Sequence, residues 1–396
     1  MYKRTLREIS KANWKFAHRL FQFVAVASRP LRVEELAELL AFDFKTRPIS
    51  KFHEDWRLED PVDAVLSVSS SLLTVVDIEG SLVVQFSHFS VKEYLTSARL
   101  AEASDIVLRR YHVSMTPAHT LASQACLGIL LHLDKDVVTR NSLKDFPLAE
   151  YAAEHWVDHA RFEDVSRNVE DGLKQLFDPS KPHLSVSVWI HNPEFPQNER
   201  AERLLPPPRS HLHYAASWGL HSIVEFLVIG HLQDVHSRSL IDNATPLHLA
   251  SRYGHIKVAR FLLERGADLT AQNKDRETPL HVASRDGQVE VAHLLIERGA
   301  DVSAQDKDGK TPLHLTSTHS YPSRTIPQQS AEVARILLEH GANVTARDSD
   351  GLTPLDLASQ DKMLAEVAHV LIQHGTGLGA HENMNSGDGK ENVRVS

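Results

Sequence analysis

Apolar positions in the first hundred residues recur first at helical and then at strand spacing. Trp14, Phe16, Ala17, Leu20, Phe21, Phe23 and Val24 keep one helix face until Arg29-Pro30 breaks the pattern, and a second helix is predicted over Val33 to Leu40. Asp60-Pro61 supplies an N-cap and a first-turn proline, which predicts a third helix running to about Leu72. Leu73 to Asp77 and Leu82 to Phe86 then read as two strands joined by Ile78-Glu79-Gly80-Ser81. Between Pro206-Pro207-Pro208, a stiff linker, and residue 101, helical spacing returns in Leu121, Ala125, Ile129, Leu130 and Leu133.

Beyond the linker the pattern repeats itself. TPLHLA begins at Thr245, TPLHVA at Thr278 and TPLHLT at Thr311, each 33 residues after the last, and TPLDLA follows at Thr353 after an interval of 42. A degenerate copy, Ser210 to Ala216, precedes them, and an apolar stretch such as VARFLLERGADLTAQ follows the headers. In each header Thr caps a short helix while Pro fills its first turn, where no N–H is needed. Gly266, Gly299 and Gly341 end the second helices, and Asp306-Lys307-Asp308-Gly309 and Asp348-Ser349-Asp350-Gly351 form the turns between repeats. Arg276 stands where those turns place glycine, so that turn is expected to be strained or differently shaped. A period of 33 with T-P-L-H resembles the ankyrin repeat.

Helix, helix, helix, hairpin is the order of a winged helix. The predicted fold is therefore mainly α: a winged-helix domain over residues 1–100, a helical connector and linker over 101–205, and an ankyrin-repeat α-solenoid with β-hairpin tips over 206–376. About five repeats are expected, with an insertion near 320–329, and a disordered tail over 377–396, which has few large apolar residues.

Charge removes one use of a winged helix. With 43 Lys and Arg against 52 Asp and Glu the net charge is −9, the opposite of what a phosphate backbone attracts. The third helix, Pro61 to Leu72, has no basic residue and one Asp, so no nucleic acid partner is expected. A single cysteine, Cys126, fits a reducing compartment. The N-terminus lacks the apolar core of a signal peptide, and the longest apolar run, Phe23 to Ala27, is too short for a bilayer. A cytoplasmic protein without membrane contact is expected.

Candidate chemistry is sparse. His213, His248, His281 and His314 recur once per repeat, and the expectation is a structural side chain bonding backbone rather than a metal ladder. His155 and His159 share a helix face at i and i+4, the zinc spacing, but without a general base in frame; Trp156 is expected to pack and the two histidines to lie at the surface. Gly309-Lys310-Thr311 copies the end of a P-loop, yet Ala304 replaces its first glycine. No G-x-S-x-G pentapeptide occurs. No enzyme, no catalytic residue, no metal and no cofactor are expected.

FVAVASRPLRVEELAELLAFD, RLEDPVDAVLSVSSSLLTVV, VVQFSHFSVKEYL and FPLAEYAAEHWVDHAR resemble the region that follows the NTPase module in fungal NACHT-ankyrin proteins, NOD-like receptors of the STAND class. The winged-helix family there carries a GPI inositol-deacylase label. The resemblance implies a non-catalytic scaffold or ligand sensor, the sensor half or a gene-model fragment of a longer receptor. The alternative is the regulatory half of a nucleotide-switched ATPase whose P-loop is missing or encoded upstream. It also implies that His88, in QFSHFSV, faces the β-phosphate of ADP if an NTPase module is attached. A protein ligand is expected on the concave face of repeats two to four, where hairpin tips and first-helix ends vary freely. Those positions are Trp218, Arg252, Tyr253, Lys274, Glu277, Arg285, Asp286, Lys307, Lys310 and Leu352, with Tyr321, Arg324 and Ile326 from the insertion.

Overall fold

The computed structural model describes residues 2–46, 49–133, 139, 142–192, 207–318 and 327–385, with side chains described for all of these except 68–70 and 376–385. The chain divides into two compact units, Met1–Pro207 and Pro208–Ser396.

In the first unit α1 (Tyr2–Glu8) and α2 (Trp14–Val26) lead into β1 (Leu31–Arg32) and α3 (Val33–Ala37). A short hairpin follows, β2 (Phe42–Asp43) and β3 (Lys51–Phe52), and then α4 (Pro61–Ser69). Asp60 caps α4 as its sequence demands, Oδ1 accepting from the N–H groups of Val62 at 2.8 Å and Asp63 at 3.0 Å. β4 (Leu73–Ile78) and β5 (Ser81–Phe86) form the wing, pairing in register from Leu73 with Phe86 to Ile78 with Ser81. Glu79 and Gly80 turn at φ 53° and 84°, the left-handed pair that suits the twist of a two-residue hairpin. β1 adds to the far side of β5 in a sheet of order β1-β5-β4. This is a winged-helix domain. Leu20, Phe21, Phe23, Leu31, Val33 and Leu36 fill its core.

The loop between the second and third helices carries structure that its polar composition hides. Phe42 and Phe52 pair across β2 and β3 with rings 5.1 Å apart, and both are buried. Their neighbour is the connector, which continues through α5 (Phe89–Leu95), α6 (Ala98–Ala101) and α7 (Ile106–Arg109) to α8 (Met115–His132). Gly128 on α8 lets it close on the hairpin, since a Cβ there meets Phe42 Cε1 and the Ser50 carbonyl oxygen, each at 2.7 Å. α9 (Leu148–Ala160), α10 (Val165–Asn168), α11 (Glu170–Leu176) and α12 (His183–Ile190) complete the unit. α8 packs on α2 and on α9, so winged helix and connector share one compact unit.

α9 corrects the expectation of two surface histidines. Trp156 is buried, but so is His159, because α8 lies against that face. His159 Nδ1 sits 3.0 Å from His119 Nδ1 and its Nε2 2.8 Å from the Tyr151 hydroxyl. Burial lowers its pKa to about 4.

Among the described residues the second unit stacks five helix pairs: α13 (His211–Ser217) with α14 (His221–Glu225), α15 (Pro246–Arg252) with α16 (Ile256–Glu264), α17 (Pro279–Arg285) with α18 (Val289–Glu297), α19 (Pro312–Leu315) with α20 (Pro327–Glu339), and α21 (Pro354–Ser359) with α22 (Ala365–Asn385). First helices pack on first helices along the stack, as in ankyrin repeats. The second helix of the first pair ends differently, in a π turn over Phe226–Gly230. α22 runs through Asn385, into the stretch expected to be disordered. No proline interrupts it, and extending a formed helix adds one hydrogen bond per residue ordered. Tyr321, Arg324 and Ile326 lie outside the described residues. Among the described residues no helix is long and apolar enough to cross a membrane.

Candidate protein-binding site

The repeat builds its surface from the capping histidine outward. Thr245, Thr278 and Thr311 donate their N–H to Nδ1 of His248, His281 and His314 at 3.2, 3.2 and 3.1 Å. Nδ1 is thereby an acceptor, so Nε2 carries the proton and donates to the next turn: to the carbonyls of Glu277 at 3.0 Å, Lys310 at 3.1 Å and Leu352 at 3.2 Å. His213 makes the same bridge to Ala244 at 3.0 Å. All four histidines lie below their ordinary pKa because burial disfavours the cation, His213 and His248 at about 4. Both ring nitrogens are engaged, Nδ1 in closing its own cap and Nε2 in holding one repeat to the next. Asp356 occupies the fifth place and closes the cap locally, Oδ2 accepting from Thr353 N–H and from its hydroxyl at 2.8 Å.

Those bridges end on the hairpin turns. Oδ1 of Asn273, Asp306 and Asp348 accepts two backbone N–H groups each, from Asp275 and Glu277, Asp308 and Lys310, and Asp350 and Leu352. Neighbouring tips are stitched by Lys274 N–H to the Asp242 carbonyl, Lys307 to Asp275 and Ser349 to Asp308, at 2.8 to 2.9 Å. One residue per turn is left-handed: Asn243 at φ 59°, Arg276 at 57°, Gly309 at 73° and Gly351 at 77°. The Arg276 turn therefore keeps the shape of its siblings and carries the strain that the Gly309 and Gly351 turns avoid.

On this frame the candidate positions separate. Tyr253, Lys274 and Lys307 are exposed, and Arg252, Lys310 and Leu352 half-buried. Lys307 Nζ bonds Asp275 at 2.6 Å, and Lys274 Nζ reaches the Ile241 carbonyl. Trp218 is half-buried, its ring 5.3 Å from Tyr214, and so packs within its own repeat. Three positions expected to be free are not. Glu277 is buried at 5 % exposure, accepting from Asn273 Nδ2 at 2.8 Å and from Arg285. Arg285 is drawn down by that pair. Asp286 stands beside it with 9 % of its side chain exposed; Oδ2 lies 4.0 Å from Arg285 Nη2 and makes no hydrogen bond, and burial raises its pKa. Opposite charges facing each other across one repeat neutralise and cover one another. Arg276, exposed at its tip, was absent from the candidates; its non-glycine identity in a glycine place was the signal.

His88 lies at the surface. It is the exposed N-cap of α5, with Ser90 N–H donating to Nδ1 at 3.2 Å, which leaves Nε2 as the protonated nitrogen. Tyr2 Oη, 2.6 Å from Ser90 Oγ, ties α1 to this junction.

Comparison with known proteins agrees with both halves of this architecture. Residues 5–109 match the family described as GPI inositol-deacylase, winged helix domain. Residues 196–273, 212–306, 265–326 and 299–383 each match the family described as ankyrin repeats (3 copies). The chain is 28 % identical over 281 residues to the azaphilone pigments biosynthesis cluster protein L of Monascus ruber, covering 68 % of this chain and 59 % of that protein. It thus spans less than two thirds of the length of this relative.

Proposed function

We propose that the chain is a protein-binding, non-catalytic sensor or scaffold of the NACHT-ankyrin, NOD-like class, acting in the cytoplasm without nucleic acid, and that its ligand docks on the concave side of repeats two to four. Ankyrin repeats are interaction modules. The observation that carries the reading is that capping histidines and turn carboxylates consume their polar groups in holding the stack, while Tyr253, Arg252 and Lys310 remain available at tips and helix ends. The deacylase wording belongs to the matched family; this sequence has no G-x-S-x-G nucleophile turn. The test is capture of partners by the full chain against a variant with Arg252, Tyr253 and Lys310 replaced by Ala. Arg285 is left in place because its loss strands the Glu277 carboxylate. Capture should fall at least about tenfold, or about 1.4 kcal/mol; undiminished capture puts the docking surface elsewhere.

A second reading, regulation of a nucleotide switch, is favoured by one observation: His88 offers an exposed Nε2–H, a ready donor to a phosphate oxygen. With an NTPase module fused in front, His88→Ala should loosen ADP retention. Unchanged retention sinks this reading.

A further inference from the structure

The strained turn of repeat three suggests what the partner is made of. Arg276 sits at φ 57° where the equivalent residues of the next two turns are Gly309 and Gly351. A left-handed conformation crowds a side-chain residue's Cβ against the backbone, and glycine removes that cost. Nothing inside the fold repays it. Arg276 is exposed, and its guanidinium has no hydrogen-bond or ion-pair partner among the described residues. Strain without a structural return points to a use outside the fold.

The charges around it are sorted by depth. Lys274 and Lys310, like Arg276, have no carboxylate partner among the described residues, while Arg252 acts on the covered Asp286 alone, and each of the four is exposed or half-buried. The acids of the same surface are withdrawn. Glu277 and Asp306 are buried at 5 % and 6 % exposure, the former held by Asn273 and Arg285, the latter by backbone N–H groups. Asp286 is covered, and burial pushes it toward its neutral form. Asp275 is matched by Lys307, and Asp308 stays exposed beside it. On a chain of net charge −9 the outer layer of this surface is locally cationic, with the half-exposed Tyr253 ring at its edge.

We propose that repeats two to four receive an acidic segment of a partner protein, carboxylates meeting Arg276, Arg252 and Lys310 and an apolar side chain meeting Tyr253. This rests on reading the repeats as the docking surface. A protein segment is favoured over nucleic acid because the whole chain repels a phosphate backbone while a short acidic peptide samples only the local field.

The experiment measures fluorescence anisotropy of three labelled probes with the full chain at low salt: a peptide of alternating Glu and Leu, its Lys and Leu counterpart, and oligothymidylate. The wild type should prefer the Glu peptide. Arg276→Gly should weaken that binding at least about tenfold while raising the melting temperature, a pairing of signs that a purely structural role does not produce. Equal affinity of Arg276→Gly and wild type for the Glu peptide overturns the proposal, as does preference for the Lys peptide or the oligonucleotide. If captured partners are lost in the triple alanine variant yet retained by Arg276→Gly, the acidic class is wrong and the docking surface stands.

Discussion

At the scale of single residues, buried groups either complete a bond or carry a cost. Ser251, Ser284 and Ser317 fall at one place in three successive repeats, the first two within the first helix and the third just past its end; all are buried, and their hydroxyls make no hydrogen bond. An orphaned buried hydroxyl costs about 1–3 kcal/mol, so Ser284→Ala should stabilise the chain by about 1 kcal/mol in urea unfolding. A loss of stability would mean that the hydroxyl has a partner in solution. The capping histidines carry the opposite expectation. Their folded pKa lies below the unfolded value near 6.5, so protonation favours the unfolded chain, and their contribution is full above that value and lost as pH falls toward about 4. His248→Gln keeps an acceptor and a donor on a group that does not titrate. The variant should lose stability less steeply than wild type between pH 6.5 and pH 4; identical slopes would show that His248 does not contribute.

At the scale of elements, close approach decides more than propensity. α8 lies against the β2–β3 hairpin only because residue 128 has no side chain. Gly128→Ala puts a methyl 2.7 Å from both the Phe42 ring and the rigid Ser50 carbonyl, and should cost about 1–3 kcal/mol despite alanine's better helix propensity. A neutral or stabilised variant in thermal unfolding would mean that hairpin and helix separate freely. The wing needed no such contact to be foreseen: Glu79-Gly80 between alternating apolar runs predicts its turn, and the strands appear where the alternation placed them.

Across the whole molecule, legibility followed the range of the interaction. Winged-helix order, repeat period, capping threonines and terminal glycines are local signals, and each reappears as an element. The histidine ladder was legible as structural because a cap at a fixed place in every repeat needs a fixed partner. What stayed hidden depends on side chains that only the packing brings together: the His119–His159 contact across two helices, the hairpin under α8, and, within one repeat, the Glu277–Arg285 pair that removes both from the free surface. Contacts in a solenoid are mostly nearest-neighbour, and the chain forms two compact units, so damage to one repeat is expected to spread to its neighbours and stop. His281 bridges its own cap to the Lys310 carbonyl of the following turn. His281→Ala leaves that carbonyl and the Thr278 N–H without their buried partner, and should speed amide exchange in α17, α18 and α19 by loosening the joint between repeats three and four. Protection in α8 of the first unit should not change. Faster exchange in α8 would show that the two units share one cooperative transition, whereas unchanged exchange in α17 to α19 would show that the histidine bridge does not hold the stack.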